Sequence, residues 1–337
     1  DMLLGKDSVG EPGRVAQEAI ELVRLRFEQV GYTNPSVWGA ALSDANTVLT
    51  SVTKNKNYYL TNSVDKEVTS SIIDNKVTPL LMNLIDSLRN KDISSTTVAQ
   101  DKTAQAIEEL RYSLFPKNKL PYKIPDEFKS FPRLQGRAHV ALTIKSNSKQ
   151  GFLLADTKTR TPTATFLITL DGYHSPITTA NFLTLVSKGL YDNIPIDKAE
   201  ELTLQFGNIP SGNSKEKLIP NPIPLELFYK NDKEPVYGIT SDDDLRATET
   251  MALPFQAYGA VGMARANEDP DSATSQIFLL KWRQALIAPG RNTLDGFYNC
   301  LGYITSDNEQ LLSQVTTNDV ITKAVVLDGL EYLKSSE

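Results

Sequence analysis

The sequence predicts an α+β protein of more than one domain, in which an N-terminal antiparallel helical bundle precedes a β-rich domain. From about residue 10 to residue 115 the apolar residues recur at steps of three and four, which is the period of helices with one buried face. Beyond residue 136 the period changes to two, as in strands. Between the helical region and the β-rich region lies a segment with four prolines. We therefore predict a helical bundle over 1–115, a proline-rich linker over 116–136 and a β-domain over 137–337.

Four helices account for the first part of the chain. Pro79 should kink or divide the third, because proline has no amide hydrogen to donate inside a helix. Trp38 belongs to the apolar face of the second, so we expect it in the bundle core. Short polar loops between amphipathic helices favour an antiparallel bundle. The apolar faces lie within Val15–Phe27, Trp38–Val52, Ile72–Leu88 and Thr103–Leu114.

Composition and charge exclude several classes of function. The 337 residues carry a formal net charge of -6, whereas a protein that binds nucleic acid needs a basic face. No apolar run reaches the eighteen or so residues of a membrane span, so any membrane association is expected to be peripheral, through partners. Cys300 is the only cysteine, which excludes an internal disulfide and a thiolate metal cluster. The sequence has neither a phosphate-binding loop nor a nucleophile elbow, and we expect no cofactor and no metal.

The β-domain begins with two strands of alternating pattern, followed by a turn and a short helix. The strands are predicted around Ala138–Ile144 and Phe166–Leu170, and the helix ends at Gly189. His174 lies in the turn, and because turns lie on protein surfaces we expect its side chain to face solvent. Later strands are predicted over 202–206, 261–264, 277–280 and 298–304.

Several sequence blocks of this domain occur in a recognisable order. They are 170–182 (LDGYHSPITTANF) with 189–191 (GLY), then 262–266 (GMARA), 275–278 (SQIF), and 294–296 (LDG) with 301–303 (LGY). In this order they resemble the cyclophilins. The resemblance implies a closed antiparallel β-barrel with capping helices and, as an activity, peptidyl-prolyl isomerisation.

Further blocks are similar to one branch of that family, the multidomain cyclophilins of the thylakoid lumen. The junction blocks are 115–125 (FPKNKLPYKIP) and 131–138 (FPRLQGRA); the blocks of an insertion are 224–227 (PLEL), 236–238 (VYG) and 253–259 (LPFQAYG). The resemblance implies a protein of the chloroplast thylakoid lumen, in its mature form with the leader removed. The start at Asp1 lacks the basic and apolar regions of a signal peptide.

The resemblance also assigns a proline-binding groove. Counting from Tyr191, the catalytic arginine of the family falls on Lys198, its glutamine on Gln205 and its histidine on Tyr298. Lysine cannot reproduce the planar fork of donors that arginine offers, so about 10²- to 10³-fold in rate should be lost, as when one oxyanion donor is removed. The positions that would bind the proline ring and its neighbours are Leu202, Thr203, Ala264, Phe278, Thr293 and Leu294.

Three functions remain open at this point. The first is a binding and assembly factor that helps to assemble or stabilise photosystem II, with weak or absent isomerase activity. The second is a stably bound lumenal subunit of a photosystem supercomplex, and the third is an active peptidyl-prolyl isomerase. The partners are accordingly photosystem II subunits or another photosystem complex. An exposed Trp282 could mark such a contact, and the bundle could block the groove until a partner binds.

Overall fold

A computed structural model of the chain describes residues 12–114, 119–154, 159–219, 221–281, 293–305 and 309–335. These residues cluster into two compact units, which meet in sequence at residues 117 and 118. The first contains only helices and the second contains a closed antiparallel barrel. The predicted fold class is therefore confirmed.

The helical unit packs around one apolar core, to which Trp38 belongs as predicted. The helix α2 begins where the sequence indicates, since the Asn34 side chain accepts a hydrogen bond from the Ser36 amide and Pro35 occupies the first turn. The helices are α1 (Pro12–Val30), α2 (Pro35–Lys54), α3 (Lys56–Asn62), α4 (Lys66–Ser71), α5 (Thr78–Asn90) and α6 (Ile93–Tyr112).

Two features of this unit differ from a simple four-helix pattern. The third predicted helix is divided into α4, a π-helical segment at Ile72–Val77, and α5. Pro79 lies in the first turn of α5, directly after the π-helical segment, so the helix is divided at the proline, as its missing amide hydrogen predicts. The additional helix α3 buries only Tyr59, and one apolar contact in seven residues leaves no period to detect.

The second unit is an eight-stranded barrel in which every neighbouring pair of strands is antiparallel. Its order is β10-β11-β7-β6-β13-β2-β5-β12, and β12 also pairs with β10, which closes the barrel. The strands of this unit are β1 (Arg133–Leu134), β2 (Arg137–Lys145), β3 (Phe152–Leu153), β4 (Arg160–Thr161), β5 (Thr163–Asp171), β6 (Ile194–Ala199), β7 (Thr203–Phe206), β8 (Glu226–Leu227), β9 (Val236–Tyr237), β10 (Ala260–Met263), β11 (Ile277–Leu280), β12 (Cys300–Ile304), β13 (Val320–Asp328) and β14 (Leu333–Lys334).

The helix α7 (Pro176–Ser187) follows β5, and Gly189 comes two residues after its end, as predicted. Two strands of the barrel, β6 and β13, were not predicted. β13 pairs with both β2 and β6 and is needed for closure, but only Ile321 and Ala324 are buried in it, so its sequence carries little of the two-residue alternation that indicates a strand.

The described part of the proline-rich segment, from residue 119 on, clusters with the barrel. Leu120 and Ile124 are buried, and the Tyr122 hydroxyl donates a hydrogen bond of 2.7 Å to the carbonyl oxygen of Tyr173. This part of the segment is therefore packed against the turn between β5 and α7. Residues 116–118 of the segment and Trp282 lie outside the described residues.

The prediction that His174 faces solvent is wrong. Its side chain is only 4% exposed, with Nδ1 3.2 Å from a carboxylate oxygen of Asp171, and its ring meets that of Phe228 edge to face at 4.9 Å. Asp171 is fully buried. Burial alone would raise its pKa, but the charges of His174 and Arg137 outweigh burial and lower the pKa to about 2. The turn is covered by Phe228, which the sequence of the turn could not reveal.

Candidate functional site

Three of the predicted groove residues lie in one row across the outside of the barrel, on adjacent strands. Lys198 of β6 is directly opposite Gln205 of β7, Gln205 is opposite Phe278 of β11, and Phe278 is opposite Gly262 of β10. Directly paired residues point to the same face of a sheet. Their neighbours Leu204 and Phe206 are fully buried, so the row faces outward and places an ammonium, an amide and an aromatic ring side by side.

The ring of Phe278 forms the apolar centre of this surface. A Cβ atom on Gly262 would lie 2.2 Å from its Cζ atom, so the ring rests directly on the Gly262 backbone. The ring of Phe255 stacks beside it with centroids 5.4 Å apart, and the ring of Tyr298 meets it edge to face, also at 5.4 Å. Phe278 is left only 6% exposed. A proline ring would thus find little open aromatic surface here.

The remaining predicted positions are distributed unevenly around this centre. Ala264, Leu294 and Tyr298 pack against the same apolar cluster as Phe278. Thr203 lies two residues before Gln205 on β7, opposite Leu280, and therefore faces the same side. Leu202 is 45% exposed, with its carbonyl oxygen accepting a hydrogen bond from the Lys281 amide. Thr293 is exposed.

Two polar residues beside the groove were missed from the sequence. Gln276 accepts a 2.6 Å hydrogen bond from the side-chain amide of Gln205, which fixes the orientation of that amide. The guanidinium of Arg265 lies 5.3 Å from the centroid of the Tyr298 ring and donates to the carbonyl oxygen of Phe297 at 2.7 Å. Gln276 could have been predicted from the motif at 275–278, because a residue two positions before Phe278 on a strand lies on the same face. Arg265 lies in the block 262–266, directly after the predicted groove residue Ala264, but the sequence gives no sign that it contacts Tyr298.

The insertion, residues 221–258, brings Phe255 to the groove. The Phe255 amide donates a 2.7 Å hydrogen bond to Asp295, and the Tyr303 hydroxyl donates to the carbonyl oxygen of Pro254 at 2.8 Å. Burial raises the pKa of Asp295 to about 6, although the hydrogen bond from Phe255 opposes that shift. The insertion is therefore fastened beside Leu294, at the edge of the groove.

A second buried carboxylate fastens the other end of the insertion to α7. Glu226 on β8 accepts hydrogen bonds from the Thr178 amide at 3.1 Å and hydroxyl at 3.0 Å, and from the Ile177 amide at 3.3 Å. These amides belong to the first turn of α7 and have no partner within the helix. Burial raises the pKa of Glu226 to about 7, against the effect of these donors. The insertion supplies the cap that Ser175, the residue before the helix, does not provide through its side chain.

The closed antiparallel barrel defines the class of protein, a cyclophilin-type domain. A sequence model of the family described as "Cyclophilin type peptidyl-prolyl cis-trans isomerase/CLD" matches residues 154–329, just over half of the chain. The chain belongs to this family.

Among its curated relatives, the thylakoid lumen peptidyl-prolyl cis-trans isomerase sll0408 of Synechocystis sp. is 33% identical over 218 residues, which cover 63% of this chain and 53% of the relative. Chloroplastic CYP38 of Arabidopsis thaliana is 34% identical over 218 residues, 63% of this chain and 47% of CYP38. Chloroplastic CYP37 of the same plant is 27% identical over 269 residues, 79% of this chain and 55% of CYP37.

The chain thus spans about half the length of the curated relatives that it matches. Their names confirm the predicted family branch and the thylakoid-lumen localisation. Within the described residues, no helix combines the length and the hydropathy needed to cross a bilayer.

Replacing Gly262 by alanine should displace the ring of Phe278, because the added methyl group would lie only 2.2 Å from Cζ. We expect the free energy of unfolding to fall by about 1–3 kcal/mol and the NMR resonances of the Phe255, Phe278 and Tyr298 rings to shift together. Gly39→Ala is the control, since nothing lies within 4 Å of a Cβ atom there. Unchanged ring resonances in Gly262→Ala would contradict the contact.

Glu226 should make the stability of the chain depend on pH. Its pKa in the folded protein, about 7, lies above the usual value near 4.3, so the folded state takes up a proton first as the pH falls. This contribution of Glu226 to the free energy of unfolding, up to about 4 kcal/mol, is present below pH 4.3 and lost as the pH rises to 7. Urea denaturation between pH 5 and 8 should show a flatter dependence for Glu226→Gln than for the wild type; equal slopes would refute the assignment.

Proposed function

We propose that the chain is a lumenal cyclophilin that binds protein partners through its barrel and helps to assemble or stabilise photosystem II, with weak or absent prolyl isomerase activity. The observation that carries the proposal is the row Lys198–Gln205–Phe278 on the outside of the barrel. From the sequence resemblance we infer that the ammonium of Lys198 takes the position of the family's arginine. The family relationship indicates where the groove lies. The lysine in this row is the reason to expect weaker catalysis than in an efficient isomerase.

An efficient isomerase must stabilise the twisted amide more than the planar one. Rotation about the X-Pro bond has a barrier of about 18–20 kcal/mol because amide resonance is lost, and only interactions that are stronger in the twisted state increase the rate. An arginine offers a rigid, planar fork of donors for that purpose. Lys198 offers a strongly hydrated point charge on a flexible stem, and its side chain lies on an exposed strand position.

The apolar half of the groove supports the same proposal. Phe278 is 6% exposed, whereas Leu202, at a position that should line the proline pocket, is 45% exposed. Thr203 brings a hydroxyl where the resemblance places an apolar side chain. A proline ring would thus have less apolar surface to bury than in a groove lined by open aromatic rings, and binding energy that could be used for catalysis is lost.

The groove nevertheless keeps features suited to binding an extended segment. The Gln205 amide is held by Gln276, and Arg265, fixed by its hydrogen bond to the Phe297 carbonyl, lies beside the ring of Tyr298. Oriented amides and preorganised donors recognise a peptide backbone without rotating its bonds. The relative named for the thylakoid lumen favours a partner protein in the photosynthetic membrane.

Restoring the donor should restore activity. We expect the wild type to accelerate the isomerisation of a prolyl tetrapeptide about 10²- to 10³-fold less than an ordinary cyclophilin, and Lys198→Arg combined with Leu202→Phe to raise that rate at least tenfold. Lys188→Arg is the matched control, since Lys188 follows α7 and is exposed. A wild-type rate equal to that of ordinary cyclophilins, or no gain in the double variant, would contradict the proposal.

A further inference from the structure

The insertion carries a buried carboxylate that is held by neutral groups. Glu226 is 1% exposed. In the part of the chain that the structure describes, its carboxylate oxygens accept hydrogen bonds from the Ile177 amide and from the Thr178 amide and hydroxyl, and no lysine, arginine or histidine pairs with it. A carboxylate that loses its hydration without gaining a cation is more stable with a proton bound. Glu226 is therefore placed to respond to the proton concentration.

The charged groups that act on the same buried region are acidic. The Tyr237 hydroxyl reaches the Glu226 carboxylate from β9, and the buried Tyr122 hydroxyl of the proline-rich segment lies within electrostatic reach of Glu226, Asp171 and Glu234. Negative charges that share one region raise each other's affinity for a proton. The acidic neighbours therefore favour the protonated form of Glu226.

The cations beside this region are engaged with a different carboxylate. Among the described residues, the buried side chains of Arg137 and His174 lie 3.6 Å and 3.2 Å from one carboxylate oxygen of Asp171. Their charges keep the pKa of Asp171 at about 2. Asp171 thus stays ionised at the pH values at which Glu226 gains or loses its proton.

The buried carboxylate is coupled to the groove along the insertion. Two residues after it, the chain enters a short antiparallel pairing between residues 228–230 and residues 250–252. In that pairing the Phe228 carbonyl oxygen accepts a 2.8 Å hydrogen bond from the Ala252 amide. Phe255, which stacks on the aromatic centre of the groove, is three residues further along. A displacement of the carboxylate is therefore transmitted to Phe255 through backbone hydrogen bonds.

The surroundings of Glu226 also adjoin the groove directly. The side-chain amide of Asn299 donates a hydrogen bond to the Glu226 carbonyl oxygen, and Asn299 follows Tyr298 of the groove. A cavity of about 10 Å³, the room of one water molecule, is lined by Glu226, Leu253, Tyr298 and Asn299 among others. Loosening of the insertion at Glu226 would therefore also change the support of Tyr298.

We propose that Glu226 is a proton-operated latch for the insertion. With a proton on the carboxyl group of Glu226, the insertion stays fastened to α7 and the ring of Phe255 covers Phe278. Without that proton the insertion loosens, and the Phe278 ring opens to a prolyl segment. The inference rests on the proposed function, because it concerns the regulation of the same groove.

Linkage sets the direction and the size of the effect. The pKa of Glu226 is about 7 in the fastened state and about 4.3 when the side chain is hydrated, so the fastened state binds the proton more tightly and is favoured as the pH falls. Lowering the pH from 8 to 5.5 favours the fastened state about 30-fold. Because the apparent affinity of a ligand falls with the population of the competent state, the groove should bind a prolyl peptide more weakly in acid.

The test is a titration of the full chain with a blocked prolyl peptide that has no ionisable group, repeated between pH 5.5 and pH 8. We expect the dissociation constant of the wild type to be at least about fivefold higher at pH 5.5. Glu226→Gln keeps the size and an acceptor oxygen but carries no charge, so its affinity should stay at the acidic wild-type value throughout. Glu127→Gln is the matched control, since Glu127 is exposed, and it should keep the wild-type profile.

Two further measurements separate a latch from a carboxylate that only stabilises the fold. The hydrogen-exchange protection factor of the Thr178 amide should fall from pH 6 to pH 8 in the wild type and stay constant in Glu226→Gln. Phe255→Ala, which removes the cover of the Phe278 ring, should bind the peptide as tightly at pH 5.5 as at pH 8.

The outcomes separate the latch from the proposed function. Equal wild-type affinity at pH 5.5 and pH 8 overturns the inference and leaves the proposed function intact, whereas no peptide binding at any pH contradicts both. A pH dependence that persists in Glu226→Gln assigns the effect to another titratable group, such as Asp295 or His174, and also overturns the inference.

Discussion

The contact between the ring of Phe278 and the bare backbone of Gly262 is the constraint on which the candidate groove depends. Antiparallel pairing fixes Phe278 opposite Gly262, and the missing side chain of the glycine lets the ring lie flat on the barrel wall. Phe255 and Tyr298 can then pack around it. The result is a compact aromatic cluster on the outside of a closed barrel, whose polar neighbours, Gln205 and Lys198, follow on the adjacent strands.

The insertion has two effects on this arrangement. At one end Glu226 caps α7 and at the other Asp295 holds the Phe255 amide, so the insertion is fastened to the barrel on both sides. The ring of Phe255, which belongs to the insertion, covers part of the Phe278 ring and so reduces the apolar surface that a proline ring could contact.

Much of this structure could be predicted from the sequence. The helical period and the motif blocks predict the fold class, and the order of the blocks predicts that Lys198, Gln205 and Phe278 belong together. The failures have local causes. β13 buries too few residues to show a strand pattern, and His174 is covered by Phe228, which lies far away in sequence. The position of Phe255 depends on how the insertion folds back on the barrel, and no local pattern encodes that.

The central claim is that the groove binds prolyl segments but has little effect on the rotation of their amide bonds. NMR exchange spectroscopy on one sample of the full chain with a labelled prolyl peptide measures both quantities, since chemical shifts report binding at Gln205 and Phe278 and exchange cross-peaks report the interconversion of cis and trans peptide. The account predicts saturable shifts at these residues with an exchange rate near that of the free peptide. Saturable shifts with exchange accelerated to the rates of ordinary cyclophilins would contradict it.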